Sequence, residues 1–112
     1  KMKIAAGLAV LAVLVSGSAA HADSLGPGAV RALFPGRYLV KVMGTIDMHV
    51  NMKPNGTVIG SASGMKDTGS WSIEGGKLCI AWKTWNKGRK DCSALTREGS
   101  RVKGRGFWFH VT

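Results

Sequence analysis

The sequence is short of acidic residues, of cysteine and of any repeated segment. Six Asp and Glu stand against 16 Lys and Arg, so the formal net charge is +10, and 112 residues include two cysteines. The absence of collagen, coiled-coil or repeat patterns excludes fibrous and repetitive architectures. The length allows one domain rather than two. A charged fraction of 20%, together with the aromatic residues present, excludes a chain that is disordered by composition.

The motifs of catalysis are also missing. The six acidic residues are scattered, and no pair of them is predicted to share a face. No serine lies in a G-x-S-x-G motif, and no Walker or Rossmann glycine pattern occurs. His49 and His110 lie far in sequence from the two cysteines, so no metal site of fitting spacing is predicted. We therefore expect a chain that is not an enzyme, with no catalytic residue, metal or cofactor.

Residues 1–22 are predicted to be a signal peptide. Lys1 and Lys3 precede an apolar run at residues 4–15, and Ala20-His21-Ala22 fits the cleavage rule, with cleavage after Ala20 as the alternative. The run would extend about 18 Å as a helix, well short of the roughly 30 Å core of a bilayer. We therefore expect no integral membrane segment after cleavage, and a periplasmic or secreted location in a Gram-negative type of envelope.

Export also changes what the positive charge implies. A basic chain in the cytoplasm would suggest nucleic acid as a partner. An exported one is expected to meet an anionic envelope glycan or an acidic protein instead, and no nucleic acid. The alternative is a charged surface that serves solubility, and the sequence does not indicate an oligomeric state.

Cys79 and Cys92 are predicted to form a disulfide, because export places them where disulfides form and persist. The bond would close a loop of 14 residues and contribute about 3 kcal/mol to stability in the chain-entropy model. Direct pairing of the two cysteines would set the apolar face of Leu78, Ile80 and Trp82 against polar residues, namely Ser93, Asp91 and Arg89. Either the hairpin tip therefore projects beyond the core, or the cysteines are offset.

The chain after Gly36 has the pattern of β-strands. Residues 45–53 alternate apolar and polar side chains without error, and Asn55-Gly56 then provides a hairpin turn. Residues 69–74 and 77–83 predict two further strands around a tight Gly75-Gly76 turn, and residues 107–111 a closing strand. Residues 65–68 are predicted to be a polar connection, and residues 102–106 to be irregular.

These elements predict an all-β fold of about six to eight antiparallel strands in a meander. Such a sheet avoids exposed edges by closing into a small barrel or curling strongly, with a β-sandwich as the alternative. We assign residues 1–22 to the signal peptide, 23–36 to an N-terminal arm and short helix, and 37–112 to the β-barrel-like domain. The helix is expected to stop at Pro35-Gly36.

The segment after residue 82 carries the candidate binding surface. Trp85 stands among four cations, and an exposed tryptophan in that setting suits stacking on a sugar or docking into a partner. The alternative is a tryptophan covered by Lys and Arg stems. The candidate surface comprises Lys83, Trp85, Lys87, Arg89 and Lys90.

Residues 69–80 have the pattern [ST]-W-x-[IL]-x-G-x-x-x-C, which resembles the small periplasmic metalloprotease inhibitors of Gram-negative bacteria. That family consists of disulfide-linked β-barrels whose free N-terminal arm enters the protease cleft. Its partner cysteine lies upstream of the motif, whereas Cys92 lies downstream. The resemblance implies an inhibitory arm formed by Asp23, Ser24 and Leu25.

Residues 31–95 also resemble a group of uncharacterised exported proteobacterial proteins, which implies no activity. The resemblance rests on Asn55-Gly56-Thr57-Val58, Asp67-x-Gly69-x-Trp71, Leu78-Cys79-Ile80-x-Trp82 and Cys92. Taken together, the sequence predicts an exported binding or interaction module that uses either the basic loop around Trp85 or the mouth of the barrel. The alternative is a periplasmic protease inhibitor that acts through its N-terminal arm.

Overall fold

The structure is a computed structural model that describes residues 23–111. This part of the chain contains ten strands, one short α-helix and one 3₁₀ turn at Trp85–Gly88. The predicted signal peptide lies outside the described residues. The helix is α1 (Pro27–Leu33). The strands are β1 (Asp23–Ser24), β2 (Gly36–Val42), β3 (Ile46–Met52), β4 (Thr57–Ala62), β5 (Met65–Glu74), β6 (Lys77–Trp82), β7 (Lys90–Ser93), β8 (Thr96–Glu98), β9 (Arg101–Gly104) and β10 (Phe107–His110).

The strands form a single antiparallel sheet in the order β1-β8-β9-β10-β2-β3-β4-β5-β6-β7. The sheet curls into a half-barrel, which confirms the curled all-β prediction, and the β-sandwich alternative is wrong. The predicted number of strands is too low because β1, β8 and β9 are too short to show the alternation of apolar and polar residues that identifies a strand. β9 occupies much of the segment expected to be irregular, since Val102 and Gly104 pair with Phe109 and Phe107.

The polar connection predicted at residues 65–68 is wrong as well. β5 begins at Met65 and pairs with the whole length of β4, from Ala62 opposite Met65 to Thr57 opposite Ser70. A backbone ladder does not require apolar side chains, and this stretch lies where the sheet is mostly exposed to solvent. The tight turn predicted at Gly75-Gly76 is present, and both glycines have positive φ.

Helix α1 closes one end of the half-barrel. Val30 is completely buried, and Pro27 lies beside Gly76 in the β5–β6 turn. The Phe34 ring, just after the helix, contacts the rings of Trp71 and Phe109 at centroid distances of 5.9 and 6.2 Å. We call α1 and Phe34 the floor of the half-barrel. The floor packs against the core on the inner face of the sheet, whose buried members include Val50, Met52, Val58, Leu78, Val102 and Phe109. Within residues 23–111, no helix has both the length and the apolar character needed to cross a membrane.

β7, at one end of the strand order, meets the turn between β9 and β10 along a contact that we call the seam. The backbone N–H of Arg105 donates to Ser93 Oγ at 2.8 Å. The Arg105 guanidinium donates to Asp91 Oδ1 at 3.2 Å and to the Cys92 carbonyl at 3.4 Å. One residue of the turn therefore joins β7 to the far side of the sheet through side-chain hydrogen bonds.

The disulfide between Cys79 and Cys92 is confirmed. The two cysteines are directly opposite each other in the β6–β7 ladder, so Leu78 faces Ser93 and Ile80 faces Asp91. This is the apolar-to-polar pairing that the sequence made hard to interpret. Ser93 and Asp91 lie at the seam, where both form hydrogen bonds with Arg105. These bonds account for polar residues opposite Leu78 and Ile80.

Candidate functional site

A cavity of about 240 Å³ lies inside the half-barrel. Phe34 and Tyr38 line it near the floor made by α1. Its walls are apolar side chains from the inner face of the sheet, namely Val40, Val42, Met48, Val50, Met52, Leu78, Ile80, Trp82, Phe107 and Phe109. The Tyr38 hydroxyl donates a hydrogen bond to the Leu33 carbonyl, and burial raises the pKa of this phenol. Tyr38 therefore stays neutral and bonded to the floor.

Glycines in the sheet make room for large aromatic rings. A Cβ at Gly60 would sit 2.6 Å from the Trp82 ring and 2.9 Å from the Trp85 ring. The absence of a side chain at this position allows those two rings to pack on the sheet, with their centroids 4.8 Å apart. Gly104 gives the same room to the ring of Phe107. Of these rings, Trp82 and Phe107 line the cavity.

The polar residues that line the cavity all lie on one side. They are Asn86 from the loop after β6, Asp91 and Ser93 from β7, and Arg105 from the β9–β10 turn. We call this side the mouth, because it combines the seam with the exposed loop of residues 83–89. An apolar interior with a few polar groups at one side is typical of small-molecule sites.

Asp67 anchors the loop that borders the mouth. Its carboxylate is 8% exposed and accepts backbone N–H bonds from Thr68 at 2.9 Å, Thr84 at 2.9 Å and Trp85 at 2.8 Å. Burial acts to raise the pKa of Asp67, but the hydrogen bonds from Trp85, Thr84 and Thr68 outweigh it and hold the pKa below its ordinary value. The carboxylate is therefore charged at neutral pH and fixes the start of the loop.

Replacing Asp67 with asparagine is expected to lower Tm at pH 7 by roughly 5–10 °C. Thr84 and Trp85 donate to one carboxylate oxygen and Thr68 to the other, so an amide would turn its NH₂ group toward at least one N–H. Because the folded pKa is depressed, the charge stabilises the fold above the unfolded pKa of about 3.9, and this contribution disappears as the pH falls through the folded value.

Thermal unfolding of the wild type and Asp67→Asn between pH 7 and pH 2.5 measures this effect. The gap in Tm should shrink below about pH 4. Asp47→Asn is the matched control, since Asp47 forms an exposed ion pair with Lys41 and its loss should change Tm little. A gap that is absent at pH 7, or equally large at pH 2.5, would contradict the anchoring role.

The structure divides the predicted surface around Trp85. Lys83, Lys87 and Arg89 are exposed on the loop that borders the mouth. Trp85 is half-buried, with its ring against Trp82. Lys90 faces outward on β7, and its ammonium lies 2.6 Å from Glu74. That ammonium, followed by the Ser72 hydroxyl, holds the pKa of Glu74 below its ordinary value.

The N-terminal arm is part of the sheet in this structure. Asp23 pairs with Arg97 and Ser24 pairs with Thr96, which makes β1 an edge strand. The Leu25 N–H donates to the Leu95 carbonyl at 3.0 Å, and the Leu25 side chain packs against the core. The three residues of the predicted inhibitory arm are therefore bound to the body of the half-barrel.

One group of described residues has the composition of a metal site, namely Glu74, Cys79 and Cys92. Both sulfurs are joined in the disulfide, so neither is a thiolate available to a metal. The Glu74 carboxylate already accepts bonds from Lys90 and Ser72. Glu74 therefore lies beside the disulfide, and these three side chains are already engaged in other bonds rather than available as metal ligands.

Sequence reasoning missed two contributors to the site. Asp67 lies in a stretch predicted to be a connection, although it is two residues from Gly69 and four from Trp71, the spacing of residues on one face of a strand. No feature of the sequence distinguishes Arg105 from the other basic residues, because it reaches Asp91 only through the curl of the sheet. Comparisons with protein-family models, curated proteins and solved structures found no match to this chain.

Proposed function

We propose that the chain is an exported, non-catalytic binding module that holds a small apolar molecule inside the half-barrel. The observation that carries this proposal is the cavity of about 240 Å³, closed at its floor by α1 and lined by apolar side chains. A protein cavity of about 150 Å³ holds benzene. By that measure the present cavity has room for about ten non-hydrogen atoms, such as a chain of eight carbons with a small head group.

The apolar lining sets the expected strength of binding. Each buried methylene contributes about 0.8 kcal/mol. A chain of eight carbons therefore contributes roughly 6 kcal/mol before the entropic cost of association is subtracted. Because that cost is subtracted, a Kd in about the millimolar range is expected for such a ligand.

The disulfide supports the exported part of the proposal. Disulfides are rare where thiols are kept reduced and persist in the periplasm and outside the cell. The alternative function, protease inhibition by the N-terminal arm, has less support. It requires release of Asp23, Ser24 and Leu25, and all three are held to the sheet by pairing with β8 or by bonding to Leu95.

Octan-1-ol is the first ligand to test, because it fits the cavity and carries no charge. Calorimetric titration, or chemical-shift perturbation in NMR spectra, should show saturable binding to the wild type. Met48 lines the cavity and faces Val40. The variant Met48→Trp would fill the space and is expected to weaken binding at least tenfold.

Leu39→Trp is the matched control, since Leu39 lies on the outer face of β2 and is 56% exposed. It should bind octan-1-ol as the wild type does. Circular dichroism checks that both variants fold, and Val40→Phe offers a second, smaller filling change if Met48→Trp does not. Failure of the wild type to bind, or equal binding by a folded cavity-filled variant, would contradict the proposed function.

A further inference from the structure

We infer that the ligand is an anionic amphiphile, a chain of about eight carbons ending in a carboxylate, and that Arg105 receives the carboxylate at the mouth. This inference rests on the proposed function and adds the chemistry of the head group. Octanoate has the ten non-hydrogen atoms that the volume of the cavity allows. The floor at Phe34 would take the methyl end of the chain.

The charge around the mouth favours an anion. Arg105 lines the cavity, and Lys83, Lys87 and Arg89 are exposed on the loop that contributes Asn86 to the lining. Asp91 is the acidic residue among the polar groups lining the cavity. Four cations against the carboxylates of Asp91 and Asp67 leave this side with a net positive charge, which attracts a carboxylate and repels an ammonium group.

The backbone of Arg105 is held in place, and its guanidinium retains N–H donors that can bind a ligand. Its backbone N–H is bonded to Ser93 Oγ at 2.8 Å, which fixes the base of the side chain at the seam. The guanidinium contacts Asp91 at 3.2 Å and the Cys92 carbonyl at 3.4 Å, and its side chain is 72% exposed. A guanidinium has five N–H donors and binds a carboxylate through two parallel bonds, so it can take a second acceptor beside Asp91 or in its place.

The distribution of polar groups also sets the orientation of the ligand. Asn86, Asp91, Ser93 and Arg105 all lie at the mouth, whereas the walls and the region near the floor are apolar apart from the Tyr38 hydroxyl, which is bonded to Leu33. Burying a carboxylate without a partner is strongly unfavourable. The head group therefore stays at the mouth, and the chain points toward α1.

The test compares three ligands of equal chain length, octanoate, octan-1-ol and octylamine, by calorimetric titration of the wild type at low ionic strength. Octanoate is expected to bind roughly tenfold more tightly than octan-1-ol, and octylamine more weakly than either. Arg105→Gln should remove the advantage of octanoate, so that octanoate and octan-1-ol bind this variant with similar Kd values. Asp91→Asn, which removes the competing carboxylate, should tighten octanoate binding several-fold.

Arg37→Gln is the matched control, because Arg37 is exposed on the outer face of β2 and its loss removes the same charge away from the cavity. Octan-1-ol binding as tight as that of octanoate, or an octanoate Kd that neither mouth variant changes, would overturn the inference while the binding function stands. Binding of none of the three ligands would overturn both. The opposite effects of Arg105→Gln and Asp91→Asn separate recognition of charge from simple damage to the seam.

Discussion

Replacing Phe109 with alanine is expected to lower the free energy of unfolding by about 3–5 kcal/mol. Phe109 is 2% exposed and belongs to β10, where its ring contacts Tyr38 at a centroid distance of 5.0 Å and Phe34 at 6.2 Å. The change would remove the ring through which the floor of the half-barrel packs against the sheet. A domain of this size has about 5–10 kcal/mol of stability in total, so the variant should be close to unfolding.

Urea denaturation followed by tryptophan fluorescence measures the loss directly. Leu39→Ala is the control, since this leucine lies outward on β2 and its removal should change the free energy of unfolding by no more than about 0.5 kcal/mol. A Phe109→Ala variant that loses less than about 1 kcal/mol would show that the floor does not pack on β10 as described.

Removing the disulfide with the double change Cys79→Ala and Cys92→Ala is expected to cost about 3 kcal/mol of stability. The bond joins directly opposed residues of β6 and β7 and closes a loop whose ends are 13 residues apart in sequence. Without it, the unfolded chain regains the freedom of that loop. For a domain of this size the expected fall in Tm is roughly 10–20 °C.

Thermal unfolding with and without a reductant checks the origin of that loss. Reductant should lower the Tm of the wild type toward that of the double variant and leave the double variant unchanged. A wild-type Tm that does not respond to full reduction would contradict a stabilising role for the bond. The same samples can be titrated with octan-1-ol, which reports whether the cavity survives when β7 is held by its ladder alone.

The strands of the central sheet were predictable from sequence because each buries one face. Alternation with a period of two identifies β3, and glycine at Gly75-Gly76 identifies the β5–β6 turn. The disulfide was predictable as well, since two cysteines allow one intramolecular pairing. These features depend on a few neighbouring residues, and local pattern is enough to find them.

The remaining features depend on the curl of the whole sheet. β1 and β8 are too short to show alternation, and β1 exists because Asp23 and Arg97, which are far apart in sequence, come together at one end of the sheet. The cavity has no local signal, because Val40, Leu78 and Phe109 come from three separate strands. Arg105 likewise lies beside Ser93 because the whole sheet curls, and no single segment of the sequence encodes that curl.

The position of the disulfide has a consequence for the edge of the sheet. β7 lies at one end of the strand order, where an unpaired backbone would offer a template for a strand of another molecule. The covalent bond between Cys92 and Cys79 prevents β7 from separating from β6. Such a separation would expose the backbone of β6, a longer and more apolar strand, to pairing with another molecule. The Lys90 ammonium adds a charged group on the same short strand, a common protection against fibril growth.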